Sequence, residues 1–99
     1  MLSVYKYLIP KEDCFTLELP YDAEILSFGS DPKDSERLAI WALINKGMTS
    51  TVQRKFRLAR TGHLMEGSSE SKYYTLKFIG SRTDNYLLRW HLFERIRHD

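Results

Sequence analysis

Ninety-nine residues, 42% of them apolar, make one domain with a single modest core, and no apolar run is long enough to cross a bilayer. A formal net charge of +2 argues for no class of partner, but its distribution is uneven: residues 1–35 hold three Lys against seven acids, and residues 36–99 hold twelve Lys and Arg against six. Cys14 is the single cysteine, which excludes an internal disulfide, and the first residues lack the pattern of a signal peptide, so a reducing intracellular compartment is expected.

Leu2 to Ile9 reads as a first strand, with Tyr5, Tyr7 and Ile9 on one side, and Pro10 ends it because proline has no N–H for a ladder. Cys14 to Leu19 alternates, with Phe15, Leu17 and Leu19 inward and Thr16 and Glu18 outward. Pro20-Tyr21-Asp22 turns the chain, Glu24 to Phe28 forms a short third strand, and Gly29 to Ser35 is a loop by composition. Leu38 to Ile44 is apolar at both parities, as in a strand covered on both faces. Asn45-Lys46-Gly47 then suits a hairpin into a basic strand, where Val52, Phe56 and Leu58 face one way and Gln53, Lys55 and Arg57 the other.

Thr61 to Ser71 has no periodicity and reads as a surface loop. Tyr73 to Gly80 alternates, setting Tyr74, Leu76 and Phe78 against Tyr73, Thr75, Lys77 and Ile79, and Ser81 to Asn85 turns the chain. Tyr86 to Arg97 fits both periods. A strand as far as Phe93 is expected, with residues 94–99 as a frayed tail or a helical turn. Trp41, Phe56 and Trp90 are expected in the core. The sum is all-β: a compact antiparallel sandwich or small barrel of six to seven short strands, one domain over residues 1–99.

Chemistry is sparse. Thr61-Gly62-His63 could present backbone N–H groups to an anion, although a plain turn explains the same residues. His63, His91 and His98 are too scattered for a zinc pattern, and neither a phosphate-binding glycine loop nor a nucleophile elbow is present. No catalytic residue, metal or cofactor is expected, and the protein is not read as an enzyme. The stronger signal is a basic face. Lys55, Arg57, Lys77 and Arg89 fall on the outward parity with Tyr73, His91 and Phe93, and Thr61, Gly62 and His63 sit at its rim. Cations among rings suit a nucleotide or a nucleic acid. Ile79, Leu87 and Phe93 share that parity, which favours burial against a protein partner or a second copy.

An ordered set of short segments runs through nearly the whole chain: Tyr5-Lys6-Tyr7, Leu17-Glu18-Leu19-Pro20, Ala23-Glu24-Ile25-Leu26-Ser27, Trp41-Ala42-Leu43-Ile44, Arg54-Lys55-Phe56-Arg57, Thr61-Gly62-His63, Phe78-Ile79-Gly80 and Trp90-His91-Leu92-Phe93-Glu94. Together they resemble a family of small uncharacterised proteins encoded by tailed bacteriophages and prophages. Members of that family usually end soon after the Trp-His-aliphatic-Phe-Glu segment, whereas this chain continues through Arg95 to Asp99. The resemblance carries over no catalytic residue and no cofactor. It implies a phage accessory protein working in the cytoplasm of a bacterial host cell, by binding and inhibiting a host factor such as a component of bacterial immunity. Two alternatives stand beside it: an oligomeric ligand-binding protein that sequesters a nucleotide signal, and a phage nucleic-acid-binding accessory protein. A host protein and a second copy of the chain, as a dimer or higher, are the expected partners, and a membrane is not.

Overall fold

The computed structural model describes residues 1–62 and 74–97. These form seven strands: β1 (Leu2–Ile9), β2 (Cys14–Pro20), β3 (Glu24–Asp31), β4 (Asp34–Asn45), β5 (Thr51–Arg60), β6 (Tyr74–Thr83) and β7 (Arg89–Arg97). They build two antiparallel sheets, one of three strands in the order β1-β4-β3 and one of four in the order β2-β5-β7-β6. The fold is therefore all-β, with open sheet edges and no closed barrel.

Core residues come from both sheets. Leu38, Ile40, Ala42 and Ile44 of β4 face Phe15, Leu19, Phe56, Leu58 and Leu92 of the other sheet in one cluster. Phe15 and Phe56 are direct partners across β2 and β5, and their rings stack with centroids 5.3 Å apart. Along one side of the molecule, Arg82 of β6 donates to the Ser30 hydroxyl of β3, and a Cβ on Gly80 would sit 3.6 Å from Phe28. A side chain at Gly80 would press on that seam between the sheets.

β4 is the central strand of its sheet, but the other sheet covers only one of its faces; on the other, Trp41 and Leu43 stay partly exposed, so the expected cover on both faces is not found. From Leu38 onward its even-numbered residues enter the core. On the outward parity, Ala39 has no exposure, while Lys6 of β1 reaches across β4 to Asp31 of β3 at 2.7 Å. Trp41 also lies outward, against Gly29: a Cβ there would meet its ring at 3.7 Å. Trp41 is consequently half-buried rather than in the core, as is Trp90, whereas Phe56 is wholly enclosed.

The structure corrects several other expectations. β4 and β5 belong to different sheets, so Lys46 to Ser50 is a crossing between layers and not a hairpin turn. β3 and β4 are longer than their composition suggests and meet in a two-residue turn at Pro32-Lys33. The chain beyond Phe93 is neither frayed nor helical as far as Arg97: β7 continues, with Glu94 buried within it. Before it, the β6–β7 turn is organised by Asp84. Its carboxylate accepts the Tyr86 and Leu88 amides at 2.8 and 3.0 Å and the Trp90 indole N–H at 2.9 Å. Leu87 adopts a φ of 65° in that turn, a left-handed backbone that a side chain enters only under such constraint.

Candidate functional site: the outer face of the four-stranded sheet

Register fixes which side chains share the outward face. Directly opposed residues on antiparallel strands point the same way, and the face can be followed in rows from β2 to β6. One row runs Cys14, Arg57, Phe93, Phe78, and the next runs Thr16, Lys55, Arg95, Leu76. A third brings Arg97 opposite Tyr74, and at the other end Arg89 opposes Thr83. Lys55, Arg57, Arg89, Arg95 and Arg97 thus lie on one surface. Glu18, at the β2 edge, shares this parity, and its carboxylate accepts the Thr51 hydroxyl at 2.7 Å.

These groups are held rather than loose. Arg57 is buried to 6% exposure and donates to Cys14 Sγ at 3.3 Å, while its Nε has no acceptor among the described residues. The Arg95 guanidinium lies over the Tyr74 ring, 4.2 Å from its centroid, and its Nε is likewise buried and unmet. Arg89 donates to the Thr83 and Ser81 hydroxyls at 3.0 and 2.9 Å. Phe78 and Phe93 meet edge to face at 5.6 Å, and Phe78 remains 57% exposed. Thr61 Oγ1 and His91 Nε2 share a hydrogen bond of 2.7 Å at the rim, beside Gly62, whose φ of 82° marks an ordinary tight turn.

Of the residues singled out in the sequence, Lys55, Arg57, Arg89 and Phe93 come together on this face, with Thr61 and Gly62 at its end. Tyr73 and His63 lie outside the described residues, as does His98. Lys77 does not join them. It stands opposite Glu94, on the parity that faces between the sheets, where it lines a cavity of about 330 Å3 with Arg54, Ile79 and Glu94. The cause is a bulge between Phe78 and Gly80, which reverses the parity of β6 partway along. Tyr74, Leu76 and Phe78 therefore face outward, and Ile79 packs on the core.

Arg95, Arg97, Tyr74 and Phe78 were missed as surface groups. Arg95-Ile96-Arg97 continues the alternation of Trp90 to Phe93 without a break, and that continuity was the available signal. Also unforeseen was Arg54, which faces inward and forms a two-pronged ion pair with Glu94 at 2.6 and 2.7 Å. Its remaining N–H group is donated to the Ala23 carbonyl.

The one strongly organised carboxylate near the basic end is Asp84. The Trp90 N–H holds its carboxyl below the ordinary value of 3.8; burial pushes the other way, and the Leu88 and Tyr86 amides with Lys11 complete the lowering. Asp84 is thus a structural anion, already saturated with donors. Among the described residues no group of three His, Cys, Asp or Glu side chains is placed to hold a metal ion, and no helix is long and apolar enough to cross a membrane.

The arrangement defines an open two-sheet antiparallel β protein with a cationic, ring-bearing sheet face. The chain belongs to the family described as Domain of unknown function (DUF7352), whose model matches residues 1–99. No curated protein and no solved structure matches it.

Proposed function

We propose that the protein acts by binding, as a small phage-encoded interaction protein that covers an acidic surface of a host factor and inhibits it in the bacterial cytoplasm. One observation carries this reading: Lys55, Arg89, Arg95 and Arg97 share the outer face of the four-stranded sheet with three aromatic rings, above the buried Arg57 and with Glu18 at its β2 edge. Cations steer an acidic partner and set its register, and the Phe78–Phe93 pair supplies the apolar contact that charge alone does not. The resemblance of the ordered segments to phage and prophage proteins supports the setting.

A second copy of the chain is the other partner. The outward face of the three-stranded sheet leaves Leu2, Val4 and Leu8 at 65%, 52% and 40% exposure beside half-buried Trp41 and Leu43, and β1 and β3 leave open edges. This leaves the basic face free in a dimer.

Affinity capture from a bacterial lysate, repeated with Lys55→Glu and Phe93→Ala at low and high salt, tests the reading. Both variants should lose the captured protein. Retention of it by both would move the interface elsewhere.

A further inference from the structure

We infer that the groove where β5, β7 and β6 end on this face binds a nucleotide unit through its phosphate, free or within a single strand. The inference rests on the outer face being the working surface, but concerns a ligand that the host-factor reading does not require.

The groove has a volume of about 580 Å3 and wraps the end of the sheet: Gln53, Lys55, Tyr74, Arg95 and Arg97 line it from the outward parity, and Ile96 and the paired Arg54 and Glu94 from the inward one. That is the size range of pockets that enclose small ligands. Lys55 and Arg95 are direct cross-strand partners, and Arg97 is the next outward residue along β7. Like charges set opposite each other on adjacent strands destabilise a sheet unless an anion joins them. The protein provides none here: among the described residues none of the three is ion-paired, and the nearby Glu94 is held by Arg54 at 2.6 and 2.7 Å.

Arg95 gives the groove its specificity. Its guanidinium carbon lies 4.2 Å from the centroid of the Tyr74 ring, which restricts its orientation before any ligand arrives; its Nε–H is buried, with no acceptor among the described residues, so the donors for a ligand are the terminal N–H groups. A planar donor group of this kind matches the oxygens of a phosphate, with Lys55 and Arg97 as flanking point charges. The Arg95–Tyr74 pair is also a platform beside which a base can lie. Phosphate plus ring is the chemistry of a nucleotide; an acidic peptide would use the charges and leave the platform idle.

Calorimetric titration of the whole protein with ADP, inorganic pyrophosphate, adenosine and a ten-residue oligothymidylate tests this. ADP should bind, pyrophosphate should bind more weakly, and adenosine should not bind. Arg95→Gln and the exposed Arg97→Gln should each weaken ADP about tenfold or more with unchanged circular dichroism, and Arg95→Lys should not rescue binding, since it keeps charge without the planar group. If the oligothymidylate binds more tightly than ADP and loses affinity steeply with salt, the phosphate comes from a strand; if ADP binds more tightly, it comes from a free nucleotide. No heat from ADP, pyrophosphate or oligothymidylate at millimolar concentration, or parent-like ADP affinity in both Gln variants, overturns the inference. Phe93→Ala lies outside the groove and separates the two readings: it should abolish capture of the host protein while leaving ADP affinity unchanged. A captured host protein with no nucleotide binding would sink the groove alone.

Discussion

Removing the Glu94 carboxylate should cost far more than its single charge suggests. Glu94 is 6% exposed and holds Arg54 through two hydrogen bonds of 2.6 and 2.7 Å, while Arg54 is itself only 20% exposed at its side chain. In Glu94→Gln the shape survives, one acceptor survives, and the charge of Arg54 is left without a counterion. Breaking one partner of a fully buried pair costs roughly 3–5 kcal/mol, and the partial exposure of Arg54 reduces that to about 2–3 kcal/mol. For a domain of this size each kcal/mol moves the melting temperature by about 4–8 °C, so a fall of roughly 10–20 °C is expected. Urea unfolding followed by tryptophan fluorescence reads it, with a thermal melt by circular dichroism as the second measure. Arg54→Met should cost as much or more, because it also strips the Ala23 carbonyl of its donor and leaves Glu94 unpaired. The double variant should recover part of the loss, since a cycle on two touching groups is not additive. If Glu94→Gln unfolds within about 0.5 kcal/mol of the parent, the pair contributes nothing beyond a surface contact and the reasoning fails.

Phe56→Ala should destabilise by about 3–5 kcal/mol, the range for a fully enclosed aromatic residue, whereas Trp41→Ala should cost less because its ring is partly exposed; equal losses in urea titrations would contradict the placement of Trp41. Asp84 and Asp31 have carboxyls held below the ordinary 3.8, so their contribution to stability is full above that value and is lost as pH falls through the lower folded values. Asp84→Asn should therefore lower the melting temperature at neutral pH and flatten its dependence below about pH 4; an unchanged acid limb would refute this. Light scattering behind a sizing column should give a dimer or larger species for the parent and a monomer for Val4→Asp, and a monomeric parent at high micromolar concentration would end the self-association proposal.

The fold class was legible because apolar patterning is local and runs of strand length recur between turn residues along the chain. Phe15, Leu17 and Leu19 alternate with Thr16 and Glu18, and the structure places them as that alternation demands. Pairing was not legible, because which strand lies beside which depends on non-local contacts. Leu38 to Ile44 announces a strand, but neither that its outward side stays partly exposed at Trp41 and Leu43 nor that β1 and β3, rather than β5, are its neighbours. A turn-forming Asn45-Lys46-Gly47 serves a crossing between sheets as well as a hairpin. The open run to Ser50 supplies the length for the crossing.

The site was half legible for the same reason. Lys55, Arg57, Arg89 and Phe93 sit on strands whose period of two is unbroken between them and the core, so their parity carried through. Lys77 did not, because a single extra residue between Phe78 and Gly80 inverts everything on the other side of it. The bulge lies where β6 meets β3: Gly80 tucks against Phe28, and Ile79 turns inward to pack on the core. Inverting β6 there sends Lys77 to the cleft beside Glu94 and brings Tyr74 and Phe78 out among the arginines. The rings of the candidate face are consequently a product of the same bulge that fits β6 to the opposite sheet. A substitution that removes the bulge would change the surface chemistry without touching a charged residue.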